Sequence, residues 1–123
     1  MGGAVNEGKS GLALLLNGTG SKAGHIALGT GSGAFSVNDT DLATPSHWVA
    51  FTSTDVTVQK KITYVADFDS VTISGTATIK EFGVFTSGAG AANTLWSKES
   101  FAGNAITADG TVEIQVQVTH EIV

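Results

Sequence analysis

The stretch VEIQVQVTHEI, residues 112–122, decides the fold. Its even positions carry Val112, Ile114, Val116, Val118, His120 and Ile122, and its odd positions Glu113, Gln115, Gln117, Thr119 and Glu121. Successive side chains of a strand point to opposite faces, so this alternation predicts a strand with one face in a core and one in water. The same period runs through 56–68, where the even residues include Val56, Val58, Ile62, Tyr64, Ala66 and Phe68. That segment reads as one long half-buried strand or as a hairpin pinched at Lys60-Lys61. Further strands are expected at 47–52, 71–74, 77–86 and 94–101. Turn signals separate them at Asp69-Ser70, Ser74-Gly75, 87–92 and Ala108-Asp109-Gly110. Short strands at this spacing predict a mainly β fold, an antiparallel, jelly-roll-like β-sandwich, because parallel strands would need crossover helices that the sequence lacks.

Before the β pattern begins, residues 6–17 place Leu12, Leu15 and Leu16 at helical spacing, with Gly18 as a stop. Gly8 and Gly11 weaken this helix by about 1 kcal/mol each relative to alanine, so it is expected to be docked on the sheets rather than autonomous. Residues 1–5 are expected to be a flexible arm. The 123 residues suit a single domain, 1–123, burying roughly 65–70% of the unfolded surface.

Composition narrows the function. Charged residues make up only 14% of the chain, and its net charge is -5. Gly, Thr, Ser and Ala must therefore cover much of the surface, which suits packing against other protein. With no arginine, the chain lacks the bidentate phosphate clamps on which nucleic-acid binders depend. With no cysteine it can form neither disulfides nor thiolate metal sites. The apolar run 12–16 is far shorter than the ~20 residues needed to span a bilayer. Without a basic start and cleavage site it is not expected to be a signal peptide either, which predicts a chain made in the cytoplasm.

Several motifs bear on chemistry. GAVNEGKS, residues 3–10, fits G-x-x-x-x-G-K-S, in which backbone amides, Lys9 and Ser10 would hold phosphate and magnesium. That chemistry needs a buried strand ahead of the loop, and only Met1 and Gly2 precede it. Gly29, Gly31 and Ala34 fit a loose dinucleotide loop, but Phe35-Ser36-Val37 offers no helix start for a pyrophosphate. These glycines are expected to permit turns of positive φ. Asp39 with Asp41, and Asp67 with Asp69, could offer carboxylates to calcium, which wants six to eight oxygens. The alternative has Asp39 capping a one-turn helix ahead of Pro45, and Asp67 and Asp69 as solvated strand ends. His25, His47 and His120 share no metal-ligand spacing. Nothing assembles a nucleophilic trio, so no catalytic, cofactor or metal residues are assigned.

Glu81 shares the parity of Ile79 and Phe85, which aims its carboxylate into the apolar face. Unpaired burial is costly. Either Gly83 marks a bulge that changes the parity, or backbone amides or a lysine hold the carboxylate. Trp48 and Trp96 read as core anchors or exposed platforms; Trp96, beside the small-residue loop with Ala91 and Asn93, is the better interface candidate.

Two segments carry a family resemblance: HIALGTGSGAFSVNDTDLATP at 25–45, and IKEFGVFTSGAG at 79–90 with the strand that follows to Phe101. Their order, "ALGTG", then "DT-LA", then a glutamate followed by "GVF", resembles small β-rich structural domains of tailed bacteriophages. These include capsid decoration (cement) proteins and tail-fibre-like domains. The resemblance implies a structural role for Glu81 in an E-x-G-x-F signature. It implies a non-enzymatic virion protein on the capsid exterior, a homotrimer whose partners are the major capsid protein and its own copies. Gly2, Gly3 and Val5 of the arm would then order on a neighbour. The rival it leaves open is a tail adsorption module, binding a receptor or glycan through Trp48, Trp96 or Tyr64 and calcium on the aspartates.

Overall fold

The computed structural model describes every residue except 1, 70, 74, 89–92, 102–104, 109–112 and 123. Its elements are β1 (Gly2–Ala4), α1 (Asn6–Leu16), β2 (His25–Gly29), β3 (Pro45–Ala50), β4 (Ser53–Asp55) and β5 (Lys61–Phe68), then β6 (Ala77–Ile79), β7 (Glu81–Phe85), β8 (Leu95–Ser100), β9 (Ile106–Ala108) and β10 (Ile114–Glu121). All pairings are antiparallel, in a five-stranded sheet β1-β8-β7-β2-β3, a three-stranded sheet β10-β5-β4 and a ribbon β6-β9.

The even residues of β5 and β10 face inward as their alternation requires: Tyr64, Ala66, Phe68 and Val116 are buried. They meet Ile26, Leu28, Val84 and Trp96 of the larger sheet in one core, closed at one end by Ile73, Ile79 and Ala108. The fold is thus a mainly β sandwich with one short helix. Val112 and the Asp109-Gly110 turn fall outside the described residues.

The larger sheet is covered on both faces. On its far side Ala27, Phe85 and Leu95 form a second core with Val5 and Leu42, flanked by Phe35 and Trp48. The cover is the irregular segment 30–44, which explains why β2 is buried over four consecutive residues instead of alternating.

Several expectations need correction. Residues 2–5 are not a flexible arm: Gly2–Ala4 pairs with β8, Val5 is fully buried, and its N–H donates to Trp96 O at 3.2 Å. No helix forms ahead of Pro45, which instead opens the edge strand β3, a position where its missing N–H costs no ladder bond. Segment 56–68 is neither one strand nor a hairpin of its own: residues 56–60 connect β4 to β5, so the hairpin is Ser53–Asp55 against Lys61–Phe68. Val56 and Val58 lie exposed in the connection, and Lys60 takes φ 65 just before β5. Residues 71–73 make a turn, not a strand, because Asp69 Oδ1 accepts from Val71 N (3.1 Å) and Thr72 N (2.8 Å); Ser74 lies outside the described residues. The strand expected over 77–86 breaks at Lys80, whose N–H donates to Gly29 O and whose carbonyl accepts from Phe101 N. Leu16, expected on the core face of α1, is exposed. Leu12 and Leu15 keep the expected face, partly buried against the core, and the buried Gly8 continues it one turn earlier.

Candidate functional site

The segment 30–44 is held on the larger sheet by two charged side chains. Glu81 at the start of β7 is 1% exposed. Its Oε1 accepts from Ala43 N at 2.9 Å, and its Oε2 accepts from Thr44 N at 2.8 Å and Gly31 N at 3.0 Å. Three amides replace the water that the carboxylate lost, which is how a buried charge is tolerated. On β8, Lys98 is 5% exposed; its Nζ pairs with Asp39 Oδ2 at 3.1 Å and donates to Asp41 O at 3.3 Å. Asp39 also accepts from Ser36 N at 2.9 Å. That backbone donor, helped by Lys98, holds the Asp39 carboxyl below its ordinary value.

The glycines of this region serve close approach. Gly29 and Gly31 do not have positive φ, contrary to expectation. A Cβ on Gly29 would lie 2.5 Å from Glu81 Oε2, and one on Gly31 would lie 2.7 Å from the same atom and 2.8 Å from Thr44 N. The glycine loop does bind an anion, and the anion is the chain's own Glu81. Gly83, two residues on, is not a bulge: it pairs in register with Ala27 and Lys98. Its missing side chain admits Leu42, whose Cδ2 would stand 3.0 Å from an added Cβ. Phe85 completes the row against Trp48, with ring centroids 4.6 Å apart. The alternate residues of E-x-G-x-F are therefore the seat of the 30–44 segment.

A bulge at Trp96 sets what faces where on β8. Val84 pairs with Ser97 and Phe85 with Leu95, leaving Trp96 as the extra residue. Leu95 and Lys98 consequently share the face under 30–44, while Trp96 and Ser97 turn toward the sandwich interior. The backbone of Trp96 also receives α1: a Cβ on Gly8 would lie 2.5 Å from Trp96 Cα. Glu7 secures the helix start, its Oε1 accepting from Leu95 N at 3.0 Å.

Between α1 and the smaller sheet the sandwich opens into a groove of about 1320 Å³. Lys9, Leu12 and Leu15 line one side, Ile62, Tyr64 and Val118 the other, and Trp96, Ser97 and His120 also contribute. Ser97 Oγ and His120 Nε2 share a hydrogen bond of 2.7 Å that ties β8 to β10. Tyr64 meets the His120 ring edge-on at 5.0 Å. Burial pushes the His120 imidazole below its ordinary value and the Tyr64 hydroxyl above its own. A hydrogen-bonded serine and histidine are two parts of a nucleophilic relay, but Ser97 is buried, and no carboxylate orients His120 among the described residues. The pair therefore reads as a cross-sheet link.

The remaining expected residues fall as follows. Trp96, proposed for an interface, is buried beneath α1, as Val5 is beneath 30–44; of the described arm residues Gly3 and Ala4 are exposed and Gly2 is half-buried, on the β1 edge. Asn93 staples the β7–β8 connection: its Oδ1 accepts from Ser87 N and its Nδ2 donates to Ser87 O. Ala91 lies outside the described residues. The phosphate-loop motif is not a loop. Gly3 is in β1, Gly8, Lys9 and Ser10 are inside α1, and Lys9 N already donates to Val5 O. Asp67 accepts from Gln115 Nε2. No cluster of three or more metal-ligating side chains occurs among the described residues. The groove and the Ser97–His120 link escaped sequence reading; the only hint was His120 on the apolar parity of its strand.

No protein-family model matches the chain, and no curated protein matches it in sequence.

Proposed function

We propose that the chain is a non-enzymatic structural protein of a tailed-bacteriophage virion, a capsid decoration protein that binds the outside of the major capsid protein lattice and stabilises the head. The observation that carries the reading is a firmly clamped β body with one end left open, at a groove whose walls are largely apolar. Leu14, Leu16, Val56, Val58 and Ile122 stay exposed around the helix and the sheet end. Such a surface suits burial against another protein. The sequence resemblance and the sparse surface charge point the same way. Many copies, each burying interface across a joint between capsid subunits, would have to detach together before a shell ruptures. The rival tail module would use exposed aromatic platforms, yet Trp96 and Tyr64 are buried and Trp48 leans on Phe85.

Gold-labelled antibody on purified particles tests the placement. Label over the head is expected; label confined to tails, or none on particles, would overturn it.

A further inference from the structure

We infer that the groove between α1 and the smaller sheet binds a single-chain amphiphile with an anionic head, a free long-chain carboxylate. Its alkyl tail lies between the apolar walls and its head is held by Lys9, Lys22 and Lys60. This goes beyond the virion reading and does not rest on it.

The walls supply the place for the tail. Leu12 and Leu15 of α1 stand on one side and Ile62 and Val118 of the smaller sheet on the other. All four pack against the core and yet remain only half-buried. Apolar surface on two elements is therefore left bordering one opening, and burying it stabilises whatever alkyl chain enters. At about 1320 Å³ the space exceeds the ~300–1,000 Å³ of compact ligand sites, which suits a long occupant. Ser97 and His120, also in the lining, are already bonded to each other at 2.7 Å. The partner for a charged head is therefore sought among the cations.

Those cations are concentrated here. Of six lysines in a chain of net charge -5, Lys9, Lys22, Lys60, Lys61 and Lys98 line the groove, against Glu99 and Glu121 alone among the acids. Lys61 is taken by Glu121 at 3.3 Å and Lys98 by Asp39 at 3.1 Å. Lys9, Lys22 and Lys60 are exposed and make no ion pair among the described residues. They come from three separate stretches: α1, the connection from α1 to β2, and the connection from β4 to β5. Exposed ammonium groups beside an apolar groove match a head in water and a tail out of it.

Lys60 adds a local observation. Its φ of 65 is the only positive value at a non-glycine position among the described residues. Glycine or asparagine adopts that conformation more readily than lysine. The turn is locked, since Lys60 O accepts from Ile122 N at 2.8 Å and Val58 O from Lys61 N at 3.2 Å. A strained turn thus carries a free cation at the groove. The net charge of -5 opposes adsorption of the whole chain to an anionic bilayer, so the lysines suit an anion that enters alone.

Titration calorimetry of the full chain with dodecanoate tests this. One molecule per chain is expected to bind with Kd near or below about 100 µM. Octanoate should bind at least about fiftyfold more weakly, because each methylene taken from water is worth about fourfold. The triple variant Lys9→Gln, Lys22→Gln, Lys60→Gln should weaken dodecanoate about tenfold without changing Tm, and dodecyltrimethylammonium should bind the wild type at least about tenfold more weakly than dodecanoate. In proton–nitrogen correlation spectra the Trp96 indole signal should shift while that of Trp48, which packs against the second core, stays in place. No binding of dodecanoate would overturn the inference. So would equal affinity for the cationic amphiphile, a triple variant that binds like wild type, or a shift at Trp48 alone. Flotation of the chain with phosphatidylglycerol vesicles where dodecanoate fails to bind would assign the lysines to a membrane surface and overturn it too. None of these outcomes moves the particle label, so the two proposals fail separately.

Discussion

The backbone nitrogen of Thr44 donates to the Glu81 carboxylate at 2.8 Å, across 37 residues of chain and between a covering segment and the sheet beneath it. With Ala43 and Gly31 also donating, the 30–44 segment behaves as part of the core. Removing the acceptor strands three amides. Glu81→Ala is expected to cost about 3 kcal/mol, lowering Tm by roughly 10 °C in thermal unfolding; an unchanged Tm would show that the carboxylate holds nothing.

Gly31→Ala should act through the same carboxylate, since the added Cβ would meet Glu81 Oε2 and Thr44 N. Each single variant is destabilised, and the double variant with Glu81→Ala should lose at least ~1 kcal/mol less than the sum of the two. Additive losses in chemical denaturation would mean that the glycine and the glutamate are independent.

Two helix glycines should respond with opposite sign. Gly8→Ala drives a methyl into the Trp96 backbone and should destabilise by about 1–3 kcal/mol despite its better helix propensity. Gly11→Ala meets nothing nearer than Thr94 Cγ2 at 3.4 Å, and should stabilise by about 0.5–1 kcal/mol. Paired melting curves of the two variants give the comparison.

Acid sensitivity should come in two windows. Burial keeps the folded His120 pKa below 6.5, so the unfolded chain takes up that proton first. Its contribution is full above pH 6.5 and declines as pH falls below it. Asp39, held below 3.8 by Ser36 and Lys98, contributes above that value and is lost as pH falls further. His120→Gln should flatten stability between pH 7.5 and 5 while leaving the loss below pH 4; a decline between pH 7.5 and 5 equal to wild type would remove His120 from the first window.

Much of the sheet framework was legible because period two survives wherever one face is wet, as in β5 and β10. It failed where both faces are covered. After His25 the whole of β2 is apolar or glycine, and β8 reads out of phase because the Trp96 bulge slips its parity, so Trp96, read as core anchor or platform, stood as the better interface candidate. The burial of Glu81 was legible from parity alone, as one of two alternatives. Its donors were not, since Gly31, Ala43 and Thr44 supply backbone amides that any residue but proline carries. Gly29 and Gly31 suggested turns, whereas their reason for being glycine is a side chain 50 residues downstream of Gly31. The groove was invisible because it is a space between α1 and the smaller sheet, and sequence periodicity reports the elements but not the gaps their packing leaves.

The most direct measurement of the proposed role is binding of the purified protein to capsid shells stripped of it, followed by thermal rupture. Saturation at a fixed copy number per capsid subunit, with shells that rupture at a higher temperature, is the expected result. Shells that bind no protein, or that bind it and rupture at an unchanged temperature, would contradict it.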